Sequence, residues 1–281
     1  MDHIIKLKDG RHLGYAEYGD LKGKPLFFFH GWPSCRMHAK RIGESAKKLK
    51  IRIISIDRPG YGNSGFQRNR TLLDWANDVE ELADMLGIKR FPVIGVSGGG
   101  PYAAVCGYKI PNRITKVGIV VGLASTSVKG VLNGMGFLSK LGWSNYHRIP
   151  GLRDLSVLIF LLQAKYLSFF GDLGFKAKPD QKLINQEFRR QFAITVKETF
   201  KQGIKGPSWD LKLYTQDWGF KLKDITAKVY LWYGASDKNV PLAMGKYLAA
   251  EIPNSKLVIY PNEGHLTQIT HAEEILRTLI D

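Results

Sequence analysis

The sequence predicts an α/β fold: a mostly parallel sheet covered by helices on both faces and interrupted by a helical insertion. Three observations carry this expectation. Short, predominantly apolar runs alternate with amphipathic helical patterns, as they do in parallel sheets. The alternation stops after Val121 and resumes at Val229. One apolar run also ends in a glycine-flanked serine, Gly95-Val96-Ser97-Gly98-Gly99, that opens a helical stretch.

The elements follow in order. Residues 4–7 and 13–18 are strand-like and flank Asp9-Gly10, a hairpin signal. Residues 25–29, 51–56, 91–96 and 117–121 are apolar enough to be strands buried on both faces. Between them, Leu72, Trp75, Val79, Leu82 and Leu86 share one helical face. Thr71 is a suitable N-cap with Asp74 at the third position, and Gly87 is the stop. Residues 102–108 form the helix after Ser97. Strands at 229–233 and 256–260 then alternate with helices at 241–250 and 271–279. The stretch between is helical: Phe188, Phe192, Val196 and Phe200 recur every four residues before Gly203. Residues 157–162 are apolar all round, so part of that turn is expected to face protein. The expected organisation is a core of residues 1–124 and 223–281 with a helical cap at 125–222.

Composition excludes several classes. Of 281 residues, 44% are hydrophobic and 23% charged, which excludes a disordered chain, a coiled coil and a collagen-like repeat. Lys and Arg number 41 against 25 Asp and Glu, a net charge of +16. The excess is spread out: residues 1–124 hold 20 basic and 11 acidic, 125–222 hold 15 and 7, and 223–281 hold 6 and 7. The densest basic run is Lys47-Lys48-Leu49-Lys50-Ile51-Arg52. Nucleic-acid binders concentrate charge on one helix or arm, so a solvated basic surface is expected and nucleic acid is not a partner. The two cysteines, Cys35 and Cys106, are packing residues and make no disulfide framework. No secretory leader is read at the start, and no apolar run approaches the ~20 residues that cross a bilayer. A cytoplasmic chain without stable membrane insertion is expected. The basic cap would suit weak contact with an anionic surface.

The serine turn carries the chemistry. A sharp strand-to-helix turn lifts the Ser97 hydroxyl out of the sheet. Small residues on either side, Gly95 and Gly99, let the neighbouring backbone pass. A serine hydroxyl is a weak nucleophile at neutral pH and needs a base, which in turn needs an orienting acid. Two glycine patterns, Gly60 to Gly65 and Gly98 to Ala103, imitate dinucleotide-binding turns. The first lacks a prompt helix, and the second lacks the acid that would hold a ribose about 20 residues on. No nucleotide-binding lysine loop or zinc-binding His-Glu-x-x-His occurs.

With these residues the chain resembles the α/β-hydrolase superfamily, of the lidded serine-hydrolase type. Further stretches carry the likeness: His30-Gly31-Trp32-Pro33, Asp57-Arg58-Pro59-Gly60-Tyr61-Gly62-Asn63-Ser64, Gly234-Ala235-Ser236-Asp237 and Glu263-Gly264-His265. The resemblance implies a nucleophile, acid, histidine order: Ser97, Asp237, His265. It implies an oxyanion hole from the backbone amides of Trp32 and Gly98, supported by His30, Gly31, Gly95 and Gly99. Neither metal nor organic cofactor is required. The implied function is a carboxylic-ester hydrolase acting through an acyl-enzyme. The cap holds 15 of the chain's 32 aromatic residues, which suits a small to medium apolar ester or related acyl substrate. The His-Gly-Trp-Pro stretch is also similar to that of cofactor-free perhydrolases. A proline iminopeptidase-like activity and a non-catalytic ligand receptor on the same fold stay open as alternatives.

Overall fold

The computed structural model describes residues 1–146, 148–149, 151–167, 174–175 and 177–281. Eight strands form one sheet: β1 (Asp2–Lys6), β2 (His12–Gly19), β3 (Lys24–Phe29), β4 (Ile51–Ile56), β5 (Phe91–Val96), β6 (Ile114–Val120), β7 (Val229–Gly234) and β8 (Ser255–Tyr260). Their order is β1-β2-β4-β3-β5-β6-β7-β8. The β1–β2 and β2–β4 pairs are antiparallel, and every pair from β4 through β3 to β8 is parallel. The α/β-hydrolase fold read from the sequence is the fold observed.

The apolar runs become strands because both faces are covered. Side chains alternate across a strand, so Phe27 and Phe29 enter one core cluster while Leu26 and Phe28 enter the other. The first cluster packs the helices Leu72–Met85 and Gly100–Lys109 on the sheet. The second packs the C-terminal helix Ala272–Ile280 against Ile94, Val96 and Trp232. Each such buried Phe or Leu contributes about 1.5–3 kcal/mol of hydrophobic stabilisation.

The local signals behave as their chemistry requires. Thr71 and Asp74 form a reciprocal capping box, with the Thr71 N–H donating to Asp74 Oδ2 at 2.7 Å. Gly87 takes φ +68° just past the helix end. Strand β6 stops at Val120, one residue earlier than the apolar run suggested. Val121 turns into the left-handed region at φ +42°, unusual for a β-branched residue. That turn brings Gly122 against the start of the helix after Ser97: a Cβ on Gly100 would lie 2.8 Å from Gly122 Cα.

Between β6 and β7 lie the helices Phe137–Asn145, Leu152–Leu167, Lys178–Gln181, Gln186–Thr199 and Lys205–Tyr214. The aromatics Phe169 and Phe170 lie outside the described residues. In the apolar turn, Val157 is buried, whereas Leu158, Ile159 and Leu162 are exposed. The helix Lys205–Tyr214 sinks into the core: Asp210, Leu211, Leu213 and Tyr214 are buried. Among the described residues, no helix is long and apolar enough to cross a membrane.

Candidate active site

The candidate residues gather at the C-terminal ends of the parallel strands, where α/β sheets bind ligands. His30, Gly31 and Trp32 follow β3, Ser97 follows β5, Asp237 follows β7, and His265 follows β8.

Ser97 has φ +53°, a left-handed conformation that a non-glycine residue holds at about 1–3 kcal/mol of strain. The glycines beside it are sterically required. A Cβ on Gly95 would lie 2.1 Å from Gly99 O, and one on Gly99 would lie 2.1 Å from Phe29 O. A Cβ on Gly98 would lie 2.7 Å from Trp32 Cβ and 3.1 Å from Trp32 N. The two amides proposed for an oxyanion hole therefore belong to chain segments in direct contact. Among the described residues the Trp32 N–H has no hydrogen-bond acceptor. Gly98 opens a helical turn, where amides lack intrahelical partners.

His265 Nδ1 lies 2.8 Å from Asp237 Oδ2. The other carboxylate oxygen, Asp237 Oδ1, accepts the backbone N–H of Asn239 at 2.7 Å and of Val240 at 3.0 Å. Asp237 is thus fixed by its own loop and aims one oxygen at the imidazole. Burial works against a charged His265, but the Asp237 carboxylate outweighs it, with help from Asp180, and the pKa rises above 6.5. Ser97 and His265 face one cavity of about 610 Å³. Among the described residues they share no direct hydrogen bond. Such contacts often tighten only when substrate is bound. Trp32, Leu123, Met135, Trp143 and Phe160 supply apolar wall to this cavity.

His30 is a structural histidine. Its Nδ1–H donates to Gly31 O at 2.9 Å and its Nε2 accepts the Arg58 N–H at 3.3 Å. Burial first, and the Arg58 charge second, push its pKa well below 6.5, so it stays neutral. Arg58 also donates to the carbonyls of His30 and, at 3.0 Å, of Gly31. Gly31 lines the cavity beside Trp32.

Two carboxylates that sequence reasoning missed support these loops. Asp210, fully buried, accepts Arg58 Nε at 2.8 Å, Tyr61 OH at 2.7 Å, Tyr102 OH at 2.6 Å and a guanidinium N–H of Arg70. Burial alone would raise its pKa; Arg58 and Arg70 hold it well below the usual carboxylate range. The Tyr214 hydroxyl sits between Asp210 Oδ2 at 3.0 Å and Gly98 O at 2.9 Å. One carboxylate therefore braces the Trp32 loop through Arg58 and the Ser97 turn through Tyr214. Asp180, from the inserted helix Lys178–Gln181, accepts the backbone N–H of His265 at 2.9 Å and of Leu266 at 2.8 Å. A Cβ on Gly264 would lie 2.4 Å from Asp180 Oδ2, which is why glycine precedes His265. No short motif marks either residue. Among the described residues, no cluster of His, Cys, Asp and Glu is suited to a metal ion.

Comparison with known proteins supports the fold. Residues 24–272 match the family model described as alpha/beta hydrolase fold. A 2-hydroxy-6-oxononadienedioate/2-hydroxy-6-oxononatrienedioate hydrolase of Pseudomonas putida is 28% identical over 238 residues, covering 82% of this chain and 76% of that protein. A bifunctional esterase/perhydrolase of Acinetobacter calcoaceticus is 24% identical over 286 residues, covering 98% and 97%. Among solved structures, an esterase from Exiguobacterium antarcticum superposes with a TM-score of 0.70 at 18% identity, covering 100% of this chain and 98% of that one. The chain belongs to the α/β-hydrolase fold family.

Proposed function

We propose that this chain is a serine hydrolase that cleaves the carboxylic ester of a small to medium apolar substrate through an acyl-enzyme on Ser97. The observation that carries the reading is Ser97 in its strained turn, facing the same cavity as a histidine whose Nδ1 lies 2.8 Å from a buried aspartate. His265 Nε2 takes the Ser97 proton as Oγ attacks the acyl carbon, then delivers it to the leaving alcohol. Asp237 holds the Nδ1 proton and stabilises the imidazolium. The Trp32 and Gly98 amides meet the developing oxyanion, each donor worth about 3 kcal/mol in the transition state. Water then enters; His265 takes its proton as the oxygen attacks the acyl carbon, then returns it to Ser97 Oγ as the acyl–Oγ bond breaks and the acid leaves. The aromatic and aliphatic walls hold the apolar part of the substrate and exclude water.

Likeness to the Acinetobacter esterase/perhydrolase supports ester chemistry. The Pseudomonas relative is named for oxo-dioates, and this favours a second reading in which the same serine attacks a ketone and the bond broken joins two carbons. The kinetic test is a p-nitrophenyl ester series beside prolyl naphthylamide and a vinylogous keto acid. Ester turnover by the wild-type protein, lost in Ser97→Ala, is expected. A preference for the amide, or wild-type rates in Ser97→Ala, would overturn the reading.

A further inference from the structure

The cavity holds a positive charge that no described carboxylate neutralises. Arg41 ends the 3₁₀ turn Arg36–Ile42 and lines the cavity. Its guanidinium lies 4.2 Å from the centroid of the Phe188 ring, and no described carboxylate is within ion-pair distance. Among the described residues, no Asp or Glu lines the cavity. Burial pulls the Arg41 pKa down to about 10, which still leaves it charged at neutral pH. Arg41 is half-buried, and a charge held partly out of water without a carboxylate partner favours an anion that enters and pairs with it.

Two further donors flank it. His38 Nδ1 accepts the Gly31 N–H at 3.1 Å, so the neutral ring carries its proton on Nε2 and is a donor there. Side chains three apart in a 3₁₀ turn eclipse, which places His38 and Arg41 on one face. Gln268 is 4% exposed and lines the cavity, and its Oε1 has no partner among the described residues. The oxygen and nitrogen of a side-chain amide exchange by a flip, so Gln268 can present an N–H there. Its helix, Thr267–Thr270, packs against the turn that carries Arg41. The His38 ring also approaches the nucleophile: a Cβ on Gly31 would lie 3.4 Å from His38 Cε1 and 3.5 Å from Ser97 Cβ.

We propose that Arg41, with His38 and Gln268, forms a seat for a substrate carboxylate, so that the chain acts on acyl compounds whose far end carries an acid. This rests on the serine-hydrolase reading above and changes its substrate from a wholly apolar ester to one with an acid at the far end. A carboxylate fits better than a phosphate monoester. It brings one charge to one guanidinium and matches its planar fork, whereas a phosphate brings about 1.5 to 2 charges. Lys238, exposed at the rim, draws the anion inward.

The test compares mono-p-nitrophenyl adipate and suberate with p-nitrophenyl hexanoate and octanoate. The wild-type protein is expected to favour an anionic ester over its neutral counterpart by about tenfold in kcat/KM at one chain length. Arg41→Met should lower that anionic-to-neutral ratio by about 100-fold, and Arg41→Lys should restore part of it. Equal kcat/KM for the two classes in the wild-type protein, or an unchanged ratio in Arg41→Met, would overturn the proposal. Calorimetric titration of monomethyl adipate into Ser97→Ala separates binding from turnover. Binding there that vanishes with Arg41→Met supports the seat even if no ester is hydrolysed, in which case only the hydrolase reading falls. Absence of binding, or binding indifferent to Arg41, overturns the seat.

Discussion

Replacing Asp210 with Asn tests the frame beneath the site. The carboxylate is fully buried and is shared by two guanidinium groups, Arg58 and Arg70, that are themselves buried. Asn leaves both arginines without a counter-charge and turns an amide N–H₂ toward a guanidinium, which can only donate. Removing one partner of a buried ion pair costs about 3–5 kcal/mol. Against a total stability of about 5–15 kcal/mol, that is a fifth or more. With a urea slope of about 3 kcal/mol per molar, the unfolding midpoint should fall by about 1–1.7 M. The same variant should lower kcat more than it raises KM. Arg58 holds the Gly31 carbonyl at 3.0 Å and Tyr214 lies 2.9 Å from Gly98 O, so both oxyanion segments lose their brace. Urea unfolding followed by far-UV circular dichroism gives the first number, and ester kinetics far below the unfolding temperature give the second. An unchanged midpoint would refute the idea that this carboxylate carries the frame. A lowered midpoint with kcat and KM both intact would confine its role to stability.

Three further outcomes follow from the geometry. Asp237→Asn should lower kcat by about 10⁴-fold with KM little changed, because the amide favours the wrong imidazole tautomer; steady-state kinetics measure this. The rate requires neutral His265, so the acid limb of the kcat/KM profile should lie above the ordinary 6.5, the direction in which Asp237 and Asp180 move the group. Asp180→Asn removes one of those charges and should shift the limb to lower pH; a limb that stays in place would contradict the assignment. Gly99→Ala puts a methyl group 2.1 Å from Phe29 O, a clash with backbone that cannot yield, and should leave little soluble protein on expression.

The fold was legible because its signals are local. A parallel strand covered on both faces is an apolar run, and Phe27, Phe28 and Phe29 declare one without reference to anything else. The capping box at Thr71 and Asp74 spans three residues. The turn around Ser97 was also readable, since its glycines are needed for contacts made by immediate neighbours and by the adjoining strand. What escaped depends on distance along the chain. Asp210 meets Arg58 across 152 positions, and Asp180 meets His265 across 85. Nothing in Ser208-Trp209-Asp210 distinguishes that acid from a surface residue, because its meaning is fixed by which arginines the fold brings to it. Arg41 was hidden in the same way. In a chain with 41 basic residues, one arginine that meets no described carboxylate is visible only once its surroundings are known. Val121 shows the converse limit: an apolar run continues through it, yet the backbone leaves the strand there.

The central claim is that Ser97 is the nucleophile, activated by His265 and Asp237. Intact-mass spectrometry after exposure of the folded protein to a fluorophosphonate tests it most directly. The account predicts a single covalent adduct that maps to Ser97, is absent in Ser97→Ala and forms much more slowly in Asp237→Asn. An unmodified folded chain, or an adduct on any other residue, would contradict it.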